Sequence, residues 1–128
     1  MLGLDGVLAV GLALLLGYAL GHVMGGFVVG ALKGGVDLRT TGSGNVGATN
    51  ALRTQGKAFA AGVLLIDVLK GVLAVLCVPG LVSRDPGLSA TLPFAVGAAA
   101  AIGHCYPVLY RFQGGKGVAT LAGVFAVL

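Results

Sequence analysis

The chain has 128 residues, of which 57% are hydrophobic and 9% charged, with a formal net charge of +4. Soluble domains carry about 25% charged residues, so an ordinary water-soluble fold is excluded, and this much apolar surface equally excludes disorder. Two cysteines exclude a disulfide scaffold and a four-thiolate metal site, and 24 glycines without a collagen period must serve turns or close helix packing.

The remaining class is a small all-α membrane protein: a polytopic transmembrane helix bundle forming a single membrane domain over residues 1–128. In such a chain the positive charge reports topology, and no nucleic-acid partner is expected. The eight basic and four acidic residues divide the sequence into segments. No formal charge occurs between Asp5 and Lys33 or between Asp85 and Arg111, and only Asp67 and Lys70 interrupt the run from Lys57 to Arg84. About 20 apolar residues cross a bilayer core as a helix, which predicts spans at 6–31, 58–82 and 88–109. A fourth apolar run, Val118 to Leu128, reaches only about half the ~30 Å core. A helix cut at that depth leaves carbonyls unsatisfied, so this run is expected to belong to a longer helix or to need partner helices.

The first predicted loop holds Lys33, Arg39, Arg53 and Lys57, the third holds Arg111 and Lys116, and the second holds Arg84 beside Asp85. Cytoplasmic loops carry the excess of lysine and arginine, so loops one and three are expected in the cytoplasm and the Arg84 turn outside. The N-terminus lacks a basic signal-peptide region, so the first span is expected to be a permanent helix. Gly17, Gly21 and Gly25 recur every fourth position, as do Ala95, Ala99 and Gly103, a pattern for close helix contact in lipid.

The first loop reads GGVDLRTTGSGNVGATNALRTQGK over 34–57, longer than an ordinary connector. Gly42, Gly44 and Gly47 allow backbone N–H groups to converge as an anion nest. Ser43, Asn45, Thr49 and Asn50 add neutral polar groups, and Arg39 and Arg53 can grip phosphate with paired donors. The third loop reads GHCYPVLYRFQGGKGVAT over 103–120, where Gly114, Gly115 and Gly117 surround Lys116 ahead of an apolar run. A glycine loop feeding a helix N-terminus suits phosphate. It is not a nucleotide-hydrolysing P-loop, because Gly117 stands where Ser or Thr is required. His104 could serve as acid, base or anion ligand, whereas His22 reads as structural. No pattern of ligands implies a metal, and none implies a cofactor. Asp67 and Lys70 share a helix face and can pair inside the bundle.

At these two loops the chain resembles the bacterial integral-membrane acyl-phosphate:glycerol-3-phosphate acyltransferases, the PlsY family. DLRTTGSGNVGATNALRTQGK is similar to the family's first signature and GHCYPVLYRFQGGKGVAT to its second, with a similar IDVLKG at 66–71 between them. The resemblance implies acyl transfer from acyl phosphate to glycerol 3-phosphate, yielding lysophosphatidic acid and phosphate, in the bacterial inner membrane. It implies catalytic roles for Ser43, Arg53 and Lys116. Asn45, Thr49, Asn50, His104, Gly114, Gly115 and Gly117 are then expected to bind substrate. Acyl phosphate, glycerol 3-phosphate and membrane lipid are the expected partners, with self-association as a further one. No Ser-His-Asp arrangement or activated cysteine is visible, so direct attack by the glycerol hydroxyl is simpler than an acyl-enzyme.

Three features depart from the family. Its third signature, an Arg-His with a downstream Asn, lies outside this chain. Gln113 stands where lysine is common, and His22 stands where serine is usual. A competing reading is a non-catalytic anion-binding or transport subunit, or an inactive truncated remnant.

Overall fold

A computed structural model describes residues 2–128, and the regular elements among the described residues are all helices, without strands. Helix α1 spans Leu4–Gly21, α2 Gly25–Leu32, α3 Ala48–Gln55, α4 Lys57–Val82, α5 Pro86–Ser89, α6 Leu92–Cys105 and α7 Val118–Val127. Short 3-10 turns occupy Leu38–Thr40 and Val108–Tyr110. Helices α1 and α4 and the segment Leu92–Tyr110 are long and apolar enough to cross a membrane.

Helix α4 is the axis of the bundle, contacted by α1, α2, α3, α6 and α7. Small residues set the spacing. A Cβ on Gly17 would lie 2.8 Å from the Val96 carbonyl oxygen, and one on Gly21 would overlap the Ala100 carbonyl, so α1 and α6 meet backbone to backbone. Gly71 and Gly123 do the same for α4 and α7, each pressed against a carbonyl of the other helix (Thr120 and Val68). Lipid offers no hydrophobic drive for helix association, so this close van der Waals contact carries the packing. Leu8, Leu15, Leu65, Leu76 and Phe125 point outward, as a chain solvated by lipid requires.

The first predicted span is not one helix. Residues 22–24 interrupt it: Met24 is extended (φ −97°, ψ 124°), and α2 restarts at Gly25. No proline causes the break. Its partners lie on α4, where Asp67 Oδ1 accepts the Gly25 N–H at 2.9 Å and Lys70 Nζ donates to the Gly21 carbonyl at 3.0 Å. The glycine ridge is therefore divided, Gly17 and Gly21 packing on α6 and Gly25 on α4. The third span also starts later than 88, because Pro86–Ser89 forms a separate turn of helix before α6.

Candidate active site

The first loop is more ordered than a glycine-rich connector suggests. Leu38 and Ala51 are fully buried and pack with Val29, Phe59, Ala60 and Val63, pinning the loop to α2 and α4. Asn50 ties the remainder together. Its Nδ2 donates toward the carbonyls of Leu38, Thr41 and Asn45 at 2.8–3.1 Å, and its Oδ1 accepts the Ser43 N–H at 3.1 Å. With its side-chain polar atoms engaged and 2% exposure, Asn50 organises the loop that borders the cleft.

The backbone donors expected to converge as an anion nest are engaged within the loop as well. The N–H groups of Ser43, Gly44, Asn45 and Gly47 all bond within the loop, to Asn50, Thr41, Ser43 and Asn45. Gly42 and Gly44 are needed for their positive φ (55° and 77°), whereas Gly47 is extended and stands directly before α3. The free donors are instead those of α3's first turn, since its N-terminus has no side-chain cap. Arg39 pairs with Asp37 at 2.9 Å and lies 4.9 Å over the Phe27 ring, so it is committed to structure. The hydrogen-bonded guanidinium holds the Asp37 carboxyl below the usual carboxylate range.

In the third loop Gly114 and Gly115 lie on the C-terminal end of α6. A Cβ on Gly114 would overlap the His104 carbonyl, one on Gly115 would overlap His104 Nε2, and the Gly115 N–H already donates to the His104 carbonyl at 3.2 Å. They let the loop lie flat against His104, which itself borders the cleft between the two loops. Gly117 alone of the three is left-handed (φ 79°), and it turns the chain into α7, whose N-terminus also lacks a side-chain cap.

Between the loops lies a cleft of about 390 Å³. Ser43, Asn45, Thr49, Asn50 and Arg53 border it from the first loop and α3, His104, Lys116 and Gly117 from the other side. The first turns of α3 and α7 both open onto it, through Gly47, Ala48 and Thr49 and through Val118 and Ala119. Two uncapped helix N-termini and two cations make this a doubly anion-favouring site. Leu64, Val118 and Ala122 give it an apolar side. A larger groove of about 560 Å³ between α1 and α6 is lined by residues such as Leu14, Leu15 and Ile102 and bears no charge.

Sequence reasoning did not place Asp67 at the cleft, yet it borders it. It pairs with Lys70 at 3.2 Å, and Lys70 Nζ lies 2.6 Å from His104 Nδ1. The three-residue spacing foretold the pair, but nothing local signals its link to a histidine 34 positions away. No His/Cys/Asp/Glu cluster able to hold a metal occurs among the described residues.

The family model described as glycerol-3-phosphate acyltransferase matches residues 11–128. The chain belongs to the glycerol-3-phosphate acyltransferase family. The glycerol-3-phosphate acyltransferase of Zymomonas mobilis is 50% identical over 112 residues, covering 85% of this chain and 53% of that protein. That of Myxococcus xanthus is 49% identical over 114 residues, covering 89% and 57%. Among solved structures, PlsY, an integral membrane glycerol 3-phosphate acyltransferase, superposes in its glycerol 3-phosphate form with a TM-score of 0.77 at 43% identity, covering 92% of this chain and 57% of that one. Its lysophosphatidic acid form gives 0.73 at 40% identity, covering 94% and 55%. This acyltransferase-family chain is thus a membrane protein, and it spans about half the length of the curated relatives it matches.

Proposed function

We propose that this chain supplies the catalytic loops of an enzyme that transfers an acyl group from acyl phosphate to glycerol 3-phosphate. The observation that carries the reading is the meeting of Ser43, Arg53 and Lys116 at one cleft onto which two uncapped helix N-termini open. Both substrates bear phosphate, and the cleft offers two anion-favouring ends. The acyl tail has a matching exit along Leu64, Val118 and Ala122 toward lipid.

In this mechanism Arg53, Ser43, Asn45 and Thr49 hold the glycerol phosphate, while Lys116 and the α7 N-terminus hold the acyl phosphate. The glycerol hydroxyl oxygen attacks the acyl carbon, forming the ester C–O bond. The bond from that carbon to the phosphate oxygen breaks, and the hydroxyl proton passes to a substrate phosphate oxygen. Lys116 offsets the charge that builds on the departing phosphate. The protein contributes positioning and fixed charge and forms no covalent intermediate. Positive-inside counting puts both loops on the cytoplasmic side of a bacterial inner membrane.

The test is phosphate release by the purified chain in detergent, given acyl phosphate with and without glycerol 3-phosphate. Release that depends on the glycerol substrate, with lysophosphatidic acid formed in equal amount, supports the reading. Binding of both ligands without transfer would make the chain an anion-binding membrane protein instead.

A further inference from the structure

His104 is 3% exposed and borders the cleft. Its Nδ1 faces the Lys70 ammonium at 2.6 Å. An ammonium has three hydrogens and no lone pair, so it can only donate. The Gly21 carbonyl at 3.0 Å and Asp67 Oδ1 at 3.2 Å take two of those directions, and the imidazole takes the third. Nδ1 must therefore present its lone pair, and a neutral imidazole with a bare Nδ1 carries its proton on Nε2. That nitrogen is on the ring edge beside Gly115, where only a residue without Cβ fits. His22 is arranged the opposite way: its Nδ1 lies 2.9 Å from the Tyr18 carbonyl, which can only accept.

We infer that Lys70 is a positioning residue that fixes His104 as the Nε2–H tautomer, a neutral hydrogen-bond donor for a phosphate oxygen in the cleft. The identity of that phosphate rests on the acyl-transfer reading; the tautomer does not. Capping the helix break requires only the contacts of Lys70 and Asp67 with Gly21 and Gly25. Directing the remaining ammonium hydrogen at the imidazole serves the cleft. A neutral donor held in place adds a hydrogen bond to developing charge without a further cation to neutralise.

Nitrogen-15 NMR of the histidine-labelled chain in detergent micelles reads this directly, because protonated and bare ring nitrogens resonate far apart. There are two histidines, and His22→Gln assigns them. The expected spectrum has His104 protonated on Nε2 and His22 on Nδ1. Inorganic phosphate should shift His104 Nε2 and leave His22 unmoved. Lys70→Met should mix the His104 tautomers and weaken the phosphate response about tenfold, the loss of one held donor. Lys70→Gln, whose amide can still donate to Nδ1, should keep the tautomer. His104 found with its proton on Nδ1, or doubly protonated at neutral pH, overturns the inference without recourse to any variant. So does the expected tautomer with an Nε2 that ignores phosphate. The expected spectra together with no acyl transfer would support the inference and overturn the enzyme reading.

Discussion

Asp67 and Lys70, one helical turn apart on α4, satisfy the two facing ends of the interrupted first span. The carboxylate accepts the first N–H of α2, and the ammonium donates to the last carbonyl of α1. Each charge meets the end of the helix dipole that favours it, and the two pair with each other at 3.2 Å. Burial of both at 2–3% exposure is tolerable because each has several partners.

Removing one member leaves the other buried and uncompensated. Asp67→Asn should destabilise the chain by about 3–5 kcal/mol. The double variant Asp67→Asn with Lys70→Met should recover part of that loss. Thermal unfolding in micelles checks both. A double variant less stable than Asp67→Asn alone would show that Lys70 holds the break by itself.

The Asn50 network separates order from chemistry. Asn50→Ala strips partners from the Ser43 N–H and three carbonyls, each buried polar group left unmatched costing about 1–3 kcal/mol. Loop 36–47 should then become sensitive to protease. Ser43→Ala should lower turnover with the protease pattern nearly unchanged, because the Ser43 backbone N–H remains bonded to Asn50 and only the long 3.4 Å bond from the Asn45 N–H to Ser43 Oγ is lost. Equal proteolysis in the two variants would place Ser43 in the scaffold with Asn50.

Long apolar runs, the one over α4 interrupted by Asp67 and Lys70, suffice to locate the long helices, because crossing lipid demands about 20 largely apolar residues whatever the tertiary contacts. The break at 22–24 is illegible locally: its stabilising partners lie 42 and 49 residues downstream. Both loops are recognisable as phosphate-suited from glycines, cations and hydroxyls. Composition does not reveal which glycines turn the chain and which merely make room. Gly42, Gly44 and Gly117 have positive φ, while Gly114 and Gly115 lie against His104. Nor does it separate Asn45, whose Oδ1 accepts a single N–H from Gly47, from Asn50, whose side chain joins four backbone groups of the loop.

Lys116 is exposed at the rim of the cleft, and no salt bridge engages it among the described residues. Lys116→Ala should lower acyl transfer about 10²–10³-fold, the usual effect of removing one charge-stabilising donor. Gln113→Lys adds a second cation to the same loop and should tighten acyl-phosphate binding modestly. Steady-state kinetics with acyl phosphate varied checks both. Near-normal turnover by a folded Lys116→Ala would move charge stabilisation to the α7 N-terminus alone.

The two arginines of the first loop are expected to differ in kind. Arg39 is held by Asp37 and stacked on Phe27, outside the cleft. Because the Asp37 carboxyl is held below the carboxylate range, that pair persists through neutral pH and is lost only as pH falls through the lowered value. Arg53 stands in the last turn of α3, borders the cleft, and forms no salt bridge among the described residues. Its planar fork can therefore grip a phosphate through two donors, which lysine cannot reproduce although it keeps the charge. Arg53→Lys should raise the KM for glycerol 3-phosphate about tenfold or more and leave that for acyl phosphate nearly unchanged, the loss of one charged hydrogen bond. Arg39→Lys should change neither by more than about twofold, since an exposed pair contributes under about 1 kcal/mol. Topology should be the same in both variants, because the count of basic residues is unaltered. The measurement is initial rate with each substrate varied in turn. Equal effects from the two arginines, or an Arg53 effect confined to acyl phosphate, would assign the glycerol phosphate to the Lys116 side of the cleft.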